Sequence, residues 1–285
     1  MTVKDLLTYW LSIVKLTLKP HTYSDYLNYS NHVIEYIGDV ELSSLNSITV
    51  QHMFFDMLDK YGSNSVLHAY TVFRIAVNYA IDNDLLLKNP LKGVKLPQKQ
   101  KFLPTFLSSA DLKRLLHCSE EYGIYNAVLL AGCLGLRRGE CLGLSLSDVD
   151  SDRSIIHVSR SAEWKDGVRY TSSLKSESSH RFLLVSPLFI DSLMRHTEST
   201  YFCDYSQSVL CRRLTNCLKD NGFPHLRFHD LRHTFASISV VNGENLKVLQ
   251  AKLGHSSIQL TLDTYAHLDL SAQESTSHMF DDFLL

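Results

Sequence analysis

Between Lys88 and Pro104 the chain carries three of its six prolines, five lysines and no acidic residue. Proline fixes its own backbone and turns the residue before it away from helix, so no regular element runs through this stretch. Any core must form on one side of it or the other. The 285 residues leave each side long enough to bury a core of its own. We read residues 1–97 as one domain, 98–108 as a basic, semi-extended linker and 109–285 as a second domain. Lys92, Lys95, Lys99 and Lys101 make this region a candidate strap along a polyanion.

The N-terminal part is helical throughout. Leu6, Leu7, Trp10, Leu11, Val14 and Leu18 recur at helical spacing, and Pro20 or Thr22 opens a second helix that runs to Gly38. Further helices are expected from Thr49 to Tyr61 and from Ser65 to Ile81. With no alternating strand pattern among them, these four helices predict a bundle. In the second part, Ser108 caps a helix, Tyr125–Leu136 is an apolar helix and Cys141–Leu146 a short one. Asp148–Asp152 reads as a turn. Strands are expected at Ile155–Val158, Val168–Leu174 and Arg181–Val185, with an Asp166-Gly167 hairpin turn between. Helices return at Pro187 and at 205–221. The fold class is therefore mainly α, with one small antiparallel sheet inserted in the second domain.

Composition narrows the function. The net charge of −2 is not the footprint of a strongly basic nucleic-acid binder, so only a local gathering of cations would serve one. The six cysteines form no Cys-x-x-Cys pair, and neither they nor the 14 histidines are spaced as a metal site. No apolar run approaches the length of a membrane span and no signal-like start is present, which gives a cytoplasmic expectation.

The chemistry gathers in the last quarter. His229 and Arg232 lie three apart on a helix whose apolar stripe is Phe228, Leu231, Phe235 and Ile238. That helix stops at Asn242-Gly243. A second stops at Gly254, with His255 beyond it, and Tyr265 falls on a third. A tyrosine hydroxyl can attack a phosphodiester to give a phosphotyrosine. Guanidinium forks suit the extra charge of the transition state, and losing one donor there costs on the order of 10²-fold in rate. A lysine or histidine can protonate the leaving oxygen. Arg137, Lys175, His229, Arg232, His255 and Tyr265 would supply one full set for metal-free phosphoryl transfer.

These residues carry a resemblance. Gly135-Leu-Arg137-Arg-Gly-Glu140, Lys175, His229-Asp-Leu-Arg232-His, Leu253-Gly-His255 and Thr264-Tyr265 resemble the tyrosine recombinases, also called phage integrases. The stretches Leu18–Thr22 and Asn89–Pro97 are similar to the start and exit of that family's core-binding domain. The resemblance implies a SAM-like core-binding domain followed by a DNA breaking-rejoining catalytic domain. It implies that Tyr265 forms a 3′-phosphotyrosyl link and that Arg137 and Arg232 grip the non-bridging oxygens. It further implies that His255 bonds the phosphate, Lys175 is the general acid, His229 assists the tyrosine's proton transfer, and Glu140 supports Arg137. Ser176, Ser145 and Ser147 depart from the family's usual residues at points of DNA contact.

No cofactor and no metal is expected. Double-stranded recombination sites are the implied partner, bound by a homotetramer that falls back to a monomer or weak oligomer off DNA, with accessory DNA-bending proteins. The tail 271–285, ending in Phe280, Phe283, Leu284 and Leu285, suits exchange between protomers. The chain would be a two-domain recombinase or part of a larger integrase with an arm-binding domain. Integration or excision of a mobile element is the leading role. Resolution of chromosome dimers, inversion, a type IB topoisomerase-like activity, a metal-dependent nuclease and a catalytically silent DNA-binding regulator stand as alternatives.

Overall fold

A computed structural model describes residues 1–98, 105–174 and 179–254. The chain divides into two units, Met1–Phe102 and Leu103–Leu285.

The first unit holds α1 (Val3–Val14), α2 (Pro20–Ile37), α3 (Ser47–Lys60) and α4 (Ser63–Asp82). Local chemistry sets their starts. The Thr2 hydroxyl accepts from the Asp5 amide while the Asp5 carboxylate accepts from the Thr2 amide, a reciprocal cap. The Asn46 side chain accepts from the amides of Ile48 and Thr49. Trp10, Met53, Phe54, Met57 and Phe73 are all but sealed in the core. That core extends into the basic, proline-punctuated stretch, up to the end of the domain read as residues 1–97. Leu91 is buried, Val94 and Leu96 pack on the same cluster, and the Gln51 amide brackets the backbone of Lys95 at 2.7 and 3.0 Å. Burying a leucine contributes about 1.5–3 kcal/mol, enough to hold this strap down with Lys92 and Lys95 facing water.

The second unit begins with Leu107, which is buried and whose amide donates to the Thr234 hydroxyl. Residue 107 therefore belongs to the second core and not to the linker that the sequence assigns to 98–108. Then come α5 (Ser109–Ser119), α6 (Tyr125–Leu134) and α7 (Arg138–Gly143). The central α6 is buried on every side from Asn126 to Gly132. It ends two residues earlier than the sequence predicts, because Gly135 takes a left-handed conformation (φ 69°). A side chain on Gly135 would come within 2.5 Å of Phe235 and 2.8 Å of Leu253, so the backbone there passes hard against its neighbours. The short helix α7 starts three residues earlier than expected, since Glu140 reaches back to cap the Arg137 amide.

Among the described residues five strands follow: β1 (Val149–Asp150), β2 (Ile155–Val158), β3 (Arg160–Lys165), β4 (Val168–Ser173) and β5 (Arg181–Leu184). They make two sheets, and the expected single sheet is corrected accordingly. One has the antiparallel order β1-β2-β5, with Val158 opposite Arg181; the other is the β3-β4 hairpin turned by Asp166 and Gly167. The residues read as a turn at Asp148–Asp152 include β1, too short to show any alternation. The hairpin is drawn off the larger sheet by α7, whose Gly139 and Gly143 let the backbone at Ser161 and Ala162 lie directly against the helix.

The described part of the unit continues with α8 (Pro187–Arg195), α9 (Gln207–Asp220), α10 (Phe228–Val241) and α11 (Leu246–Leu253). Helix α10 packs along α6 and buries Phe228, Leu231 and Phe235. Among the described residues no helix is long and apolar enough to cross a membrane.

Candidate active site

The site forms where the loop after α6, the strand β5 and helix α10 converge on the end of α11. Arg137 sits at the start of α7. Its Nη1 donates to Glu140 Oε1 at 2.8 Å and its Nη2 to the Gly254 carbonyl at 3.0 Å. Arg232 is almost fully buried on α10 and donates to the carbonyls of Gly135 at 2.5 Å and Leu253 at 2.6 Å. The tight turn at Gly135 thus places one arginine, Arg137, by chain connection and a second, Arg232, by its carbonyl.

Glu140 is 1% exposed and lies between two cations. Burial by itself would push its carboxyl up. The hydrogen bonds and charge of Arg181, joined by the amide and guanidinium of Arg137, override that and hold it below the ordinary carboxylate range. Arg181 was not among the residues singled out from sequence. Its Nη2 donates to Glu140 Oε2 at 2.8 Å, its Nη1 to Glu140 Oε1 at 3.2 Å and the Ser179 carbonyl at 3.0 Å, and its Nε to the Lys252 carbonyl at 2.6 Å. The signal for it was present: in an alternating strand, Arg181 occupies an inward position.

The last three carbonyls of α10's neighbour α11, those of Lys252, Leu253 and Gly254, therefore each receive a guanidinium, from Arg181, Arg232 and Arg137 in turn. A helix C-terminus carries a partial negative charge and unsatisfied carbonyls, which is why three cations assemble there.

His229 is exposed one turn before Arg232, with its ring edge-on to His233 at 5.0 Å. It lines a cavity of about 760 Å³ shared with Arg137, Arg138, Leu226 and Arg227. Loss of water around the ring, and then the nearby His233, Arg232 and Arg137, lower its pKa to about 4. The cations at its flank act in the same direction as the lost water. His229 is accordingly neutral near pH 7 and able to take a proton. Arg137 also lines a second cavity of about 350 Å³, walled by Glu140, Ser161, Ser172, Ser173 and Ser179.

Arg137, Glu140, His229 and Arg232 are thus brought together. Lys175, His255 and Tyr265 lie outside the described residues, as do Lys99, Lys101 and the tail 271–285. Lys92 and Lys95 are exposed on the first unit.

Solved structures share this architecture. The Tn1549 transposon integrase in complex with a circular intermediate DNA matches with a TM-score of 0.80 at 21% identity, over 98% of this chain and 99% of that one. A lambda integrase dimer bound to a COC′ core site matches with a TM-score of 0.73 at 18% identity, over 91% and 97%. The fold is that of DNA integrases, a SAM-like unit followed in the chain by a mainly helical catalytic one. The chain belongs to the phage integrase family, which it matches over residues 105–271, with that family's N-terminal SAM-like domain over residues 2–58. Among its relatives, a XerC-like tyrosine recombinase of Caldanaerobacter subterraneus is 27% identical over 94% of this chain and 80% of its own length. The ICEBs1 integrase of Bacillus subtilis is 24% identical over 98% and 82%. The chain is an enzyme of the tyrosine recombinase type.

Proposed function

We propose that this recombinase cuts and rejoins DNA at specific sites through a covalent link to Tyr265, to integrate or excise a mobile element. The observation that carries this reading is the pair of guanidiniums, Arg137 and Arg232, held on adjacent carbonyls at the head of the stretch that leads to His255 and Tyr265. In the first step the Tyr265 oxygen attacks the scissile phosphorus and the bond to the 5′ oxygen breaks. Neutral His229 takes up the tyrosine's proton, Lys175 delivers one to the departing 5′ oxygen, and a 3′-phosphotyrosyl link remains. Arg137 and Arg232, with His255, hold the non-bridging oxygens as charge builds on them. Glu140 fixes Arg137 in place. The reverse attack by another strand's 5′ hydroxyl rejoins the DNA, so the bond energy is conserved in the protein link.

The partner is double-stranded DNA carrying recombination sites, engaged in the cytoplasm at the nucleoid. Lys92, Lys95, Lys99 and Lys101 follow the backbone. Four protomers assemble on two paired sites, aided by DNA-bending proteins, and tails 271–285 pass between neighbours.

The test is a nicked duplex that traps the covalent step. The wild-type chain should give an SDS-resistant adduct in EDTA, and Tyr265→Phe should bind the same DNA but give none. An adduct formed by the variant would show that the nucleophile is another residue. Products limited to relaxed circles, with no recombinants, would reassign the chain to a topoisomerase-like activity.

A further inference from the structure

We infer that Arg181 is a positioning residue for strand cleavage, one whose single buried side chain holds the carboxylate that sets Arg137 against the end of α11. The inference rests on the reading of the site given above and extends it to a residue that touches no reacting atom.

The side chain of Arg181 is 6% exposed and Glu140 is 1% exposed, so their pair is sealed from water. Such a pair gives little net stability against an apolar replacement, because both charges must be desolvated. Its place at the wall of the site points to a geometric role. All three nitrogens of the guanidinium are engaged, in three directions. Nη1 and Nη2 hold both oxygens of Glu140, whose same two oxygens accept from the guanidinium and amide of Arg137. Nη1 also holds the carbonyl of Ser179, four positions after Lys175 in the chain. Nε holds the carbonyl of Lys252, three positions before His255.

One rigid fork therefore links the carboxylate that sets Arg137, the Ser179 carbonyl just before β5 and the end of α11. Arg181 enters from β5, where pairing of Val158 with Arg181 anchors its backbone to the sheet. Arg137 bonds the same two partners, Glu140 and the end of α11. A lysine at this position could keep the charge opposite Glu140. Its single ammonium lacks the planar fork needed to reach the carboxylate and both carbonyls together.

Displacing a catalytic group by about 1 Å can slow a reaction on the order of 10²-fold. Arg181→Lys and Arg181→Ala should therefore cleave the nicked substrate about 10²-fold more slowly at saturating protein. Their affinity for the same DNA should stay within about threefold of wild type. Millimolar guanidinium should restore part of the cleavage lost by Arg181→Ala, with no matching change in its melting temperature. Arg181→Lys cleaving within about threefold of wild type would overturn the proposal. So would a loss of cleavage that follows the loss of DNA affinity or of folded protein in both variants, which is what a merely structural residue gives. A wild-type chain that forms no adduct would refute the parent reading and this one with it; a wild-type adduct with unaffected Arg181 variants refutes this one alone.

Discussion

Gly135→Ala should damage this protein in two separable ways, and the structure sets the size of each. Gly135 has φ of 69°, a conformation that costs an L-residue roughly 1–2 kcal/mol. The added methyl would also lie 2.5 Å from a ring carbon of Phe235 and 2.8 Å from Leu253, both buried, and overpacking of this kind costs about 1–3 kcal/mol more. The sum is about 2–5 kcal/mol. Gly222, just past α9, supplies the control. It has the same φ of 69° with nothing within 4 Å of its missing side chain, so Gly222→Ala should show the backbone cost alone. At about 2–4 °C per kcal/mol for a unit of this size, Gly135→Ala should lower the melting temperature of the second unit by on the order of 10 °C and Gly222→Ala by about 4 °C. The Gly135 carbonyl also accepts from Arg232, so the methyl disturbs a guanidinium of the site. Gly135→Ala should therefore cleave DNA more slowly even where it is fully folded, while Gly222→Ala cleaves at the wild-type rate. Thermal melts by circular dichroism and single-turnover cleavage read the two effects. Equal destabilisation by the two alanines would refute the packing argument, and full cleavage activity in folded Gly135→Ala would refute the link to Arg232.

Two further outcomes are expected. Lys175→Ala should slow cleavage of ordinary DNA but not of a substrate whose bridging 5′ oxygen is replaced by sulfur, since a thiolate leaves without a proton; a defect of equal size on both substrates would remove Lys175 from the general-acid role. His229 and His233 both have pKa values below the ordinary histidine range in the folded chain. The unfolded chain then binds more protons than the native one as pH falls below about 6.5 toward 4, so stability should fall with acidification across that window. His229→Gln should flatten the fall, measured as urea midpoints between pH 4.5 and 6.5 (roughly the span set by the two states' pKa values), and an unchanged slope would refute the depressed pKa.

Much of this fold is legible before any coordinate is known, because helices announce themselves locally. Ser108 caps where its side chain reaches the next turn, and the period of Leu6, Leu7, Trp10 and Leu11 follows from one buried face. Asp166-Gly167 signals its hairpin for the same reason, two left-handed residues in a row. What escapes is set by distant partners. The two-residue β1 exists only because Ile155 and Ile156 pair with it. The division into two sheets follows from glycines on α7 that admit the hairpin. The strap at Leu91–Leu96 looks solvated by composition, yet it is docked by a glutamine about forty residues earlier. In the site, Arg137 and Arg232 could be matched by order and spacing. Arg181 carries no motif, and its role is defined only by backbone carbonyls and a carboxylate that other elements bring to it.

The three guanidiniums at the end of α11 bind main-chain carbonyls of Lys252, Leu253 and Gly254. A carbonyl persists whichever amino acid supplies it. Point substitutions at 252 and 253 can change the side chains there, the Lys252 pair with Glu244 among them, without deleting a single acceptor from the cationic cluster. The acceptor side of this arrangement is hidden from alanine scanning, and the donor side is fully exposed to it. Insertions, deletions and prolines, which shift the backbone itself, are the changes to which residues 252–254 should prove intolerant.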